Sequence, residues 1–149
     1  MTYPIRPLRC PLWRMLTIRY QREPFSGEGA RLHGGRWNPP GVAALYLGTD
    51  HATAIADLTD GRDRACDDDV AQAMTAPWKS IAEVEGVLPP SWALAAKLIA
   101  DGAQGALVPS AQNPGGTALV LWHWRRMGAA GEGAQLELLD PDGWLLPHL

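Results

Sequence analysis

Gly34-Gly35-Arg36-Trp37-Asn38-Pro39-Pro40-Gly41, running straight into the apolar stretch Val42 to Leu47, decides how this 149-residue chain is read. Paired glycines permit φ > 0 and close approach of a ligand, while Pro39 and Pro40 hold their own φ near about −65°. A cation is thereby set on a backbone with little freedom to wander. Tyr46 lies in the apolar run and the carboxylate of Asp57 a little beyond it. An arginine on a stiff turn beside a tyrosine suits an anionic ligand with an aromatic ring better than it suits a structural corner. The glycine pair is no part of a G-x-G-x-x-G turn, so a Rossmann reading fails.

Length and composition predict a single domain over residues 1–149, with one core. A hydrophobic share of 46% against 19% charged residues is globular, and no apolar run approaches the roughly 20 residues a membrane helix needs. The first residues carry Arg6 and Arg9 among Pro4, Pro7 and Pro11 and lack a signal-peptide h-region, so cytoplasmic residence is expected, with no membrane partner. Cys10 and Cys66 are isolated thiols, and His33, His51, His123 and His148 make no ligand spacing, so no metal is expected. The net charge of −3 is polarised: residues 1–36 hold seven arginines against Glu23 and Glu28, and the acids follow later. That acidic total argues against a nucleic-acid surface.

The coarse pattern is α+β, richer in strand than in helix. Trp13 to Tyr20 alternates as a strand, Gln21 to Gly35 reads as a loop, and Val42 to Leu47 as a buried strand. A short helix over His51 to Leu58 follows, capped by Thr49 or Asp50. Arg62 to Ala76, with Asp67-Asp68-Asp69, reads as a solvated segment. Ser80 to Val87 is expected as a strand, and Trp92 to Asp101 as a helix with Ser91 as N-cap and Gly102 at its end. Gly105 to Ser110, Ala118 to Trp124 and Leu136 to Leu139 complete the strands, with a glycine-rich connection over Met127 to Gly133.

Taken together, Trp13-Arg14, Phe25-Ser26-Gly27-Glu28-Gly29-Ala30, Gly34-Gly35-Arg36-Trp37-Asn38, Leu45-Tyr46-Leu47 and Val108-Pro109-Ser110 make the chain resemble the RES domain family. The resemblance runs from Trp13 to roughly Val120. It implies a single α+β domain similar to ADP-ribosyltransferase toxins, with twisted antiparallel-rich sheets and short flanking helices. It also implies the toxin of a type II toxin-antitoxin pair, with NAD+ as substrate and an Xre-like or ParS-like antitoxin as partner. Carried over by position, Arg36 matches the family Arg, Ser110 the family Ser and Tyr46 the tyrosine of the following strand. Arg14 and Tyr20 match the first strand's contribution. Where the family has Glu, this chain has Asp57, one methylene shorter, so the carboxylate retreats by about 1.5 Å, a shift of the size that costs on the order of 10²-fold in a positioned site.

The chemistry such residues suit is cleavage of a nicotinamide N-glycosidic bond. Positive charge builds on the ribose in the transition state, so a carboxylate nearby, Asp57, stabilises it more than the ground state. Arg36, Arg14 and Arg31 are candidates for the pyrophosphate. Tyr46 or Tyr20 can stack on nicotinamide, and Ser110 can donate to a ribose or phosphate oxygen. Three outcomes stay open: an NAD+ glycohydrolase or phosphorylase, a mono-ADP-ribosyltransferase with a protein acceptor, and a binding module without turnover. An RNase is disfavoured by the acidic total and the lack of a paired histidine arrangement.

Overall fold

The computed structural model describes residues 7–14, 16, 22–50, 77–110, 113 and 115–140. Its centre is a three-stranded antiparallel sheet in the order β1-β3-β2, formed by β1 (Leu45–Gly48), β2 (Gly105–Pro109) and β3 (Thr117–Leu121). The α+β, antiparallel reading of the sequence holds. Register puts Tyr46 opposite Val120 and Val120 opposite Ala106, while Leu47, Leu119 and Leu107 stand in the next row. Because successive side chains point to opposite faces, one sequence pattern makes two different surfaces.

Leu45, Leu47, Leu119 and Leu121 form a buried cluster on one face, joined by Leu12, Trp124 and Leu136. The other face carries the shorter side chains Ala118, Val120, Val108 and Ala106 and packs against Trp37, Trp122 and the helix α3 (Pro90–Ala100) through Ala95. A second, two-stranded parallel sheet pairs β4 (Trp124–Arg126) with β5 (Ala134–Leu136). The strand expected over Ala118 to Trp124 is therefore split by a turn at Trp122 and His123.

Helical segments depart from the sequence reading in three places. Residues 28–33, expected as loop, form α1 (Glu28–His33): Glu28 in the first turn and Arg31 and His33 in the last complement the helix dipole, and Gly34 ends it at φ 74°. The strand expected over Ser80 to Val87 is instead α2 (Trp78–Ser80), continued by a π-helical turn over Ile81–Glu85. Gly86 closes that turn in the left-handed region at φ 67°, a stop signal that the alternation of Glu83, Val84 and Glu85 concealed. Ser91 is no N-cap, because α3 starts two residues earlier than expected, with Pro89 as N-cap and Pro90 as its first residue; its buried Oγ has no hydrogen-bond partner among the described residues.

Of the expected first strand, Trp13 bridges to Gly48 of β1 through a reciprocal pair of backbone hydrogen bonds of 2.9 and 2.8 Å. The helix expected over His51 to Leu58 and the segment Arg62 to Ala76 lie outside the described residues. Among the described residues no helix is long and apolar enough to cross a membrane.

Candidate functional site

The glycine-arginine motif folds into a tight turn in which the Gly35 N–H donates to the Asn38 carbonyl at 2.9 Å, putting Arg36 and Trp37 at the tip. The turn is irregular, so each of its polar backbone groups needs a partner. Trp92 of α3 donates its indole N–H to the Gly35 carbonyl at 2.7 Å, and Trp122 donates to the Trp37 carbonyl at 3.0 Å. Trp37 N–H donates to the Tyr46 hydroxyl at 3.0 Å, and that hydroxyl donates to Asn38 Oδ1 at 2.5 Å. Asn38, fully buried, uses its Nδ2 on the carbonyls of Ala30 and Val42, each at 2.8 Å. The backbone that carries Arg36 is thus fastened from α1, β1, α3 and the end of β3.

The two glycines serve different ends. Gly34 supplies the left-handed backbone at the end of α1. Gly35 supplies room: a Cβ there would lie 2.6 Å from the Tyr46 hydroxyl oxygen and 2.8 Å from Asn38 Oδ1. The close approach expected of a ligand is made by the protein's own tyrosine.

Against this turn lies an open cleft of about 370 Å³, within the usual range for ligand clefts. Arg36, Tyr46 and Ser110 all line it, although 74 residues separate the first from the last. Its floor is the short-chain face of the sheet, Val108, Ala118 and Val120, and Trp78 adds an indole to the lining. Burial pushes the Tyr46 phenol well above its ordinary pKa, against the smaller opposing effects of the Trp37 N–H and the Arg36 charge. Tyr46 therefore holds the turn as a neutral phenol. Ser110, at the end of β2, accepts the Asn113 N–H on its Oγ at 3.0 Å, which fixes the hydroxyl at the cleft's edge.

Arg14 lies outside the lining of this cleft. Its guanidinium donates to the Pro24 carbonyl at 2.6 Å and the Ser26 carbonyl at 2.9 Å, and Trp124 donates to Phe25 between them at 2.8 Å. Three successive carbonyls leading into α1 are so held by side chains from elsewhere. Burial lowers the Arg14 pKa. Arg31 pairs with Glu28 on the exposed side of α1 and is likewise absent from the lining. Tyr20 and Asp57 lie outside the described residues.

Sequence reasoning missed Asn38, Trp92, Trp122 and Trp78 as parts of this site. The signal present was the tryptophan count, seven in 149 residues, since a buried indole N–H must find an acceptor and an irregular segment offers carbonyls.

A family model described as the RES domain matches residues 11–72 and 57–146. Among curated proteins, a "Toxin Res" of Photorhabdus laumondii is 36% identical over 47 residues, covering 32% of this chain and 30% of that protein. A "Toxin Res" of Yersinia enterocolitica is 41% identical over 44 residues, covering 30% and 29%. A "Prs ADP-ribosylating toxin" of Sphingobium sp. is 43% identical over 44 residues, covering 28% and 27%. The matched stretch thus spans under a third of each of these relatives. Among solved structures, the M. tuberculosis MbcT-MbcA toxin-antitoxin complex is similar at 24% identity and a TM-score of 0.42, covering 67% of both chains.

Proposed function

The chain belongs to the RES domain family, and from that premise we propose that it is a toxin that consumes NAD+ and is restrained by a cognate helical antitoxin. The observation that carries the reading is the convergence of Arg36, Tyr46 and Ser110 on one small cleft, with Arg36 on a turn fastened from four elements. An arginine whose backbone is so held meets a phosphate of the dinucleotide at a smaller ordering cost than one on a free loop. Tyr46 keeps the turn in place, and Ser110 reaches a ribose or phosphate oxygen. Asp57 supplies the negative charge beside the ribose.

In the reaction the bond from ribose C1′ to the nicotinamide nitrogen breaks, and its electron pair leaves with nicotinamide, which departs neutral. The oxocarbenium-like ribose then takes an oxygen from water, which sheds its proton, or from phosphate. Purified protein incubated with NAD+ should release nicotinamide together with ADP-ribose or its phosphate, read by chromatography. Absence of nicotinamide release from antitoxin-free protein overturns the reading. Asp57→Glu should preserve or raise the rate, and Asp57→Ala retaining full rate removes that carboxylate from the mechanism.

The Sphingobium relative's name favours a second reading, transfer of ADP-ribose to a protein acceptor. Its mark is label from NAD+ on a protein band in lysate, in place of free ADP-ribose.

A further inference from the structure

Among the described residues, three rings line the cleft: Trp37, Tyr46 and Trp78. Trp37 is 3% exposed, and Tyr46 is tied by its hydroxyl to the turn. Trp78, at the start of α2, is half-buried. Its ring stands 6.0 Å, centroid to centroid, from that of Trp92 at a 42° tilt, within the range in which aromatic pairs attract. Trp92 in turn is pinned to the Gly35 carbonyl, one residue before Arg36. A single indole therefore braces both a ring of the cleft wall and the turn that carries the cation.

We propose that Trp78 is the surface on which the nicotinamide ring of the dinucleotide stacks, held by Trp92 at a set place relative to Arg36. The inference rests on the NAD+ reading above and names the residue that would select the ring. Oxidised nicotinamide is flat and positively charged, and an indole is the aromatic face that attracts a cation best. At about 370 Å³ the cleft stands near the small end of ligand clefts, which run from roughly 300 to 1,000 Å³, and so suits one nucleotide half rather than a whole dinucleotide. When the glycosidic bond breaks, the ring becomes neutral and the cation–π part of the hold disappears, which eases departure of the product.

The test is calorimetric binding of a non-cleavable carbocyclic NAD+ analogue and of ADP-ribose, which lacks nicotinamide, to the full chain and its Trp78→Leu and Trp78→Phe variants. Trp78→Leu should weaken the analogue about tenfold and ADP-ribose less than twofold, while Trp78→Phe stays within about threefold of the parent for both. Unchanged affinity of Trp78→Leu for the analogue overturns the proposal, and so does an equal loss for ADP-ribose, which would assign the ring to adenine. If Trp78→Leu does not fold, the unaltered protein still decides. It should prefer the charged analogue to NADH, whose nicotinamide is neutral and puckered, and equal affinities overturn the proposal. Binding of NAD+ without nicotinamide release sinks the enzymatic reading but leaves these outcomes readable.

Discussion

The two faces of the central sheet are built from the same three strands by opposite means. On one, Leu45, Leu47, Leu119 and Leu121 meet as branched aliphatic chains of one kind, a contact without direction that stabilises through the area removed from water. On the other, Val108, Ala118 and Val120 are too short to fill the space above them, and the hollow is covered in part by an irregular turn. That turn is held by directed hydrogen bonds from Tyr46, Asn38, Trp92 and Trp122. The leucine face supplies buried apolar area and borders a wider open cavity of about 2030 Å³, while the small-residue face borders the smaller cleft that Arg36 lines.

If that division is real, damage to each face should be felt in a different measurement. Leu119→Ala should cost about 2–5 kcal/mol of stability in urea denaturation, because the buried chain leaves a cavity. Nicotinamide release per folded molecule should hardly change. A variant that stays stable yet loses turnover would show that the faces are not separate.

Arg36→Ala should do the reverse. Removing a positioned guanidinium is expected to lower nicotinamide release by about 100-fold or more. The urea midpoint should move by less than about 1 kcal/mol equivalent, since side chains from elsewhere fasten the turn through its backbone carbonyls. Loss of folding in this variant would make Arg36 a structural residue.

Gly35→Ala probes the join between the two jobs. The added Cβ would meet the Tyr46 hydroxyl oxygen at 2.6 Å and Asn38 Oδ1 at 2.8 Å, so the turn must shift, at about 1–3 kcal/mol and with loss of turnover. Trimming the hydroxyl by Tyr46→Phe removes one of the two clashing atoms. The double variant should therefore be less destabilised than the sum of the singles, a coupling that a double-mutant cycle reads directly. Simple additivity would mean that Gly35 is present for some other reason.

How much of this could be read in advance follows from range along the chain. β1 and β2 announce themselves in runs of apolar residues, and α3 in its prolines and following glycine, because period and punctuation are local. Arg36, Tyr46 and Ser110 were named from motifs and meet in one cleft. The partners of the turn were illegible because Trp92 lies 57 residues from Gly35 and Trp122 lies 85 residues from Trp37, and nothing local pairs them. Arg14, expected from the resemblance to serve the ligand, shows the same range effect: its guanidinium donates to the Pro24 and Ser26 carbonyls, 10 and 12 residues away. The π-helical turn after α2 failed differently, since its alternating pattern fits a strand and only Gly86 marks the helical end.

The smallest expected effect concerns the hydroxyl of Tyr46 alone. Tyr46→Phe keeps the ring in the cleft floor but leaves the Trp37 N–H without its acceptor and Asn38 Oδ1 without its donor, a cost of about 1–2 kcal/mol near neutral pH. Burial raises the phenol's pKa in the folded state, so the proton is held more tightly there than in the unfolded chain. The stabilisation is therefore whole below the unfolded value, about 10, and is lost as pH rises beyond it, because the unfolded tyrosine releases its proton first. Denaturation midpoints between pH 8 and pH 11 should show a constant gap between the parent and Tyr46→Phe up to about pH 10, then a narrowing one. A gap that stays constant throughout would mean that Tyr46 titrates alike in both states. Its place between the small-residue face and the turn would then be that of an exposed phenol rather than a buried fastening.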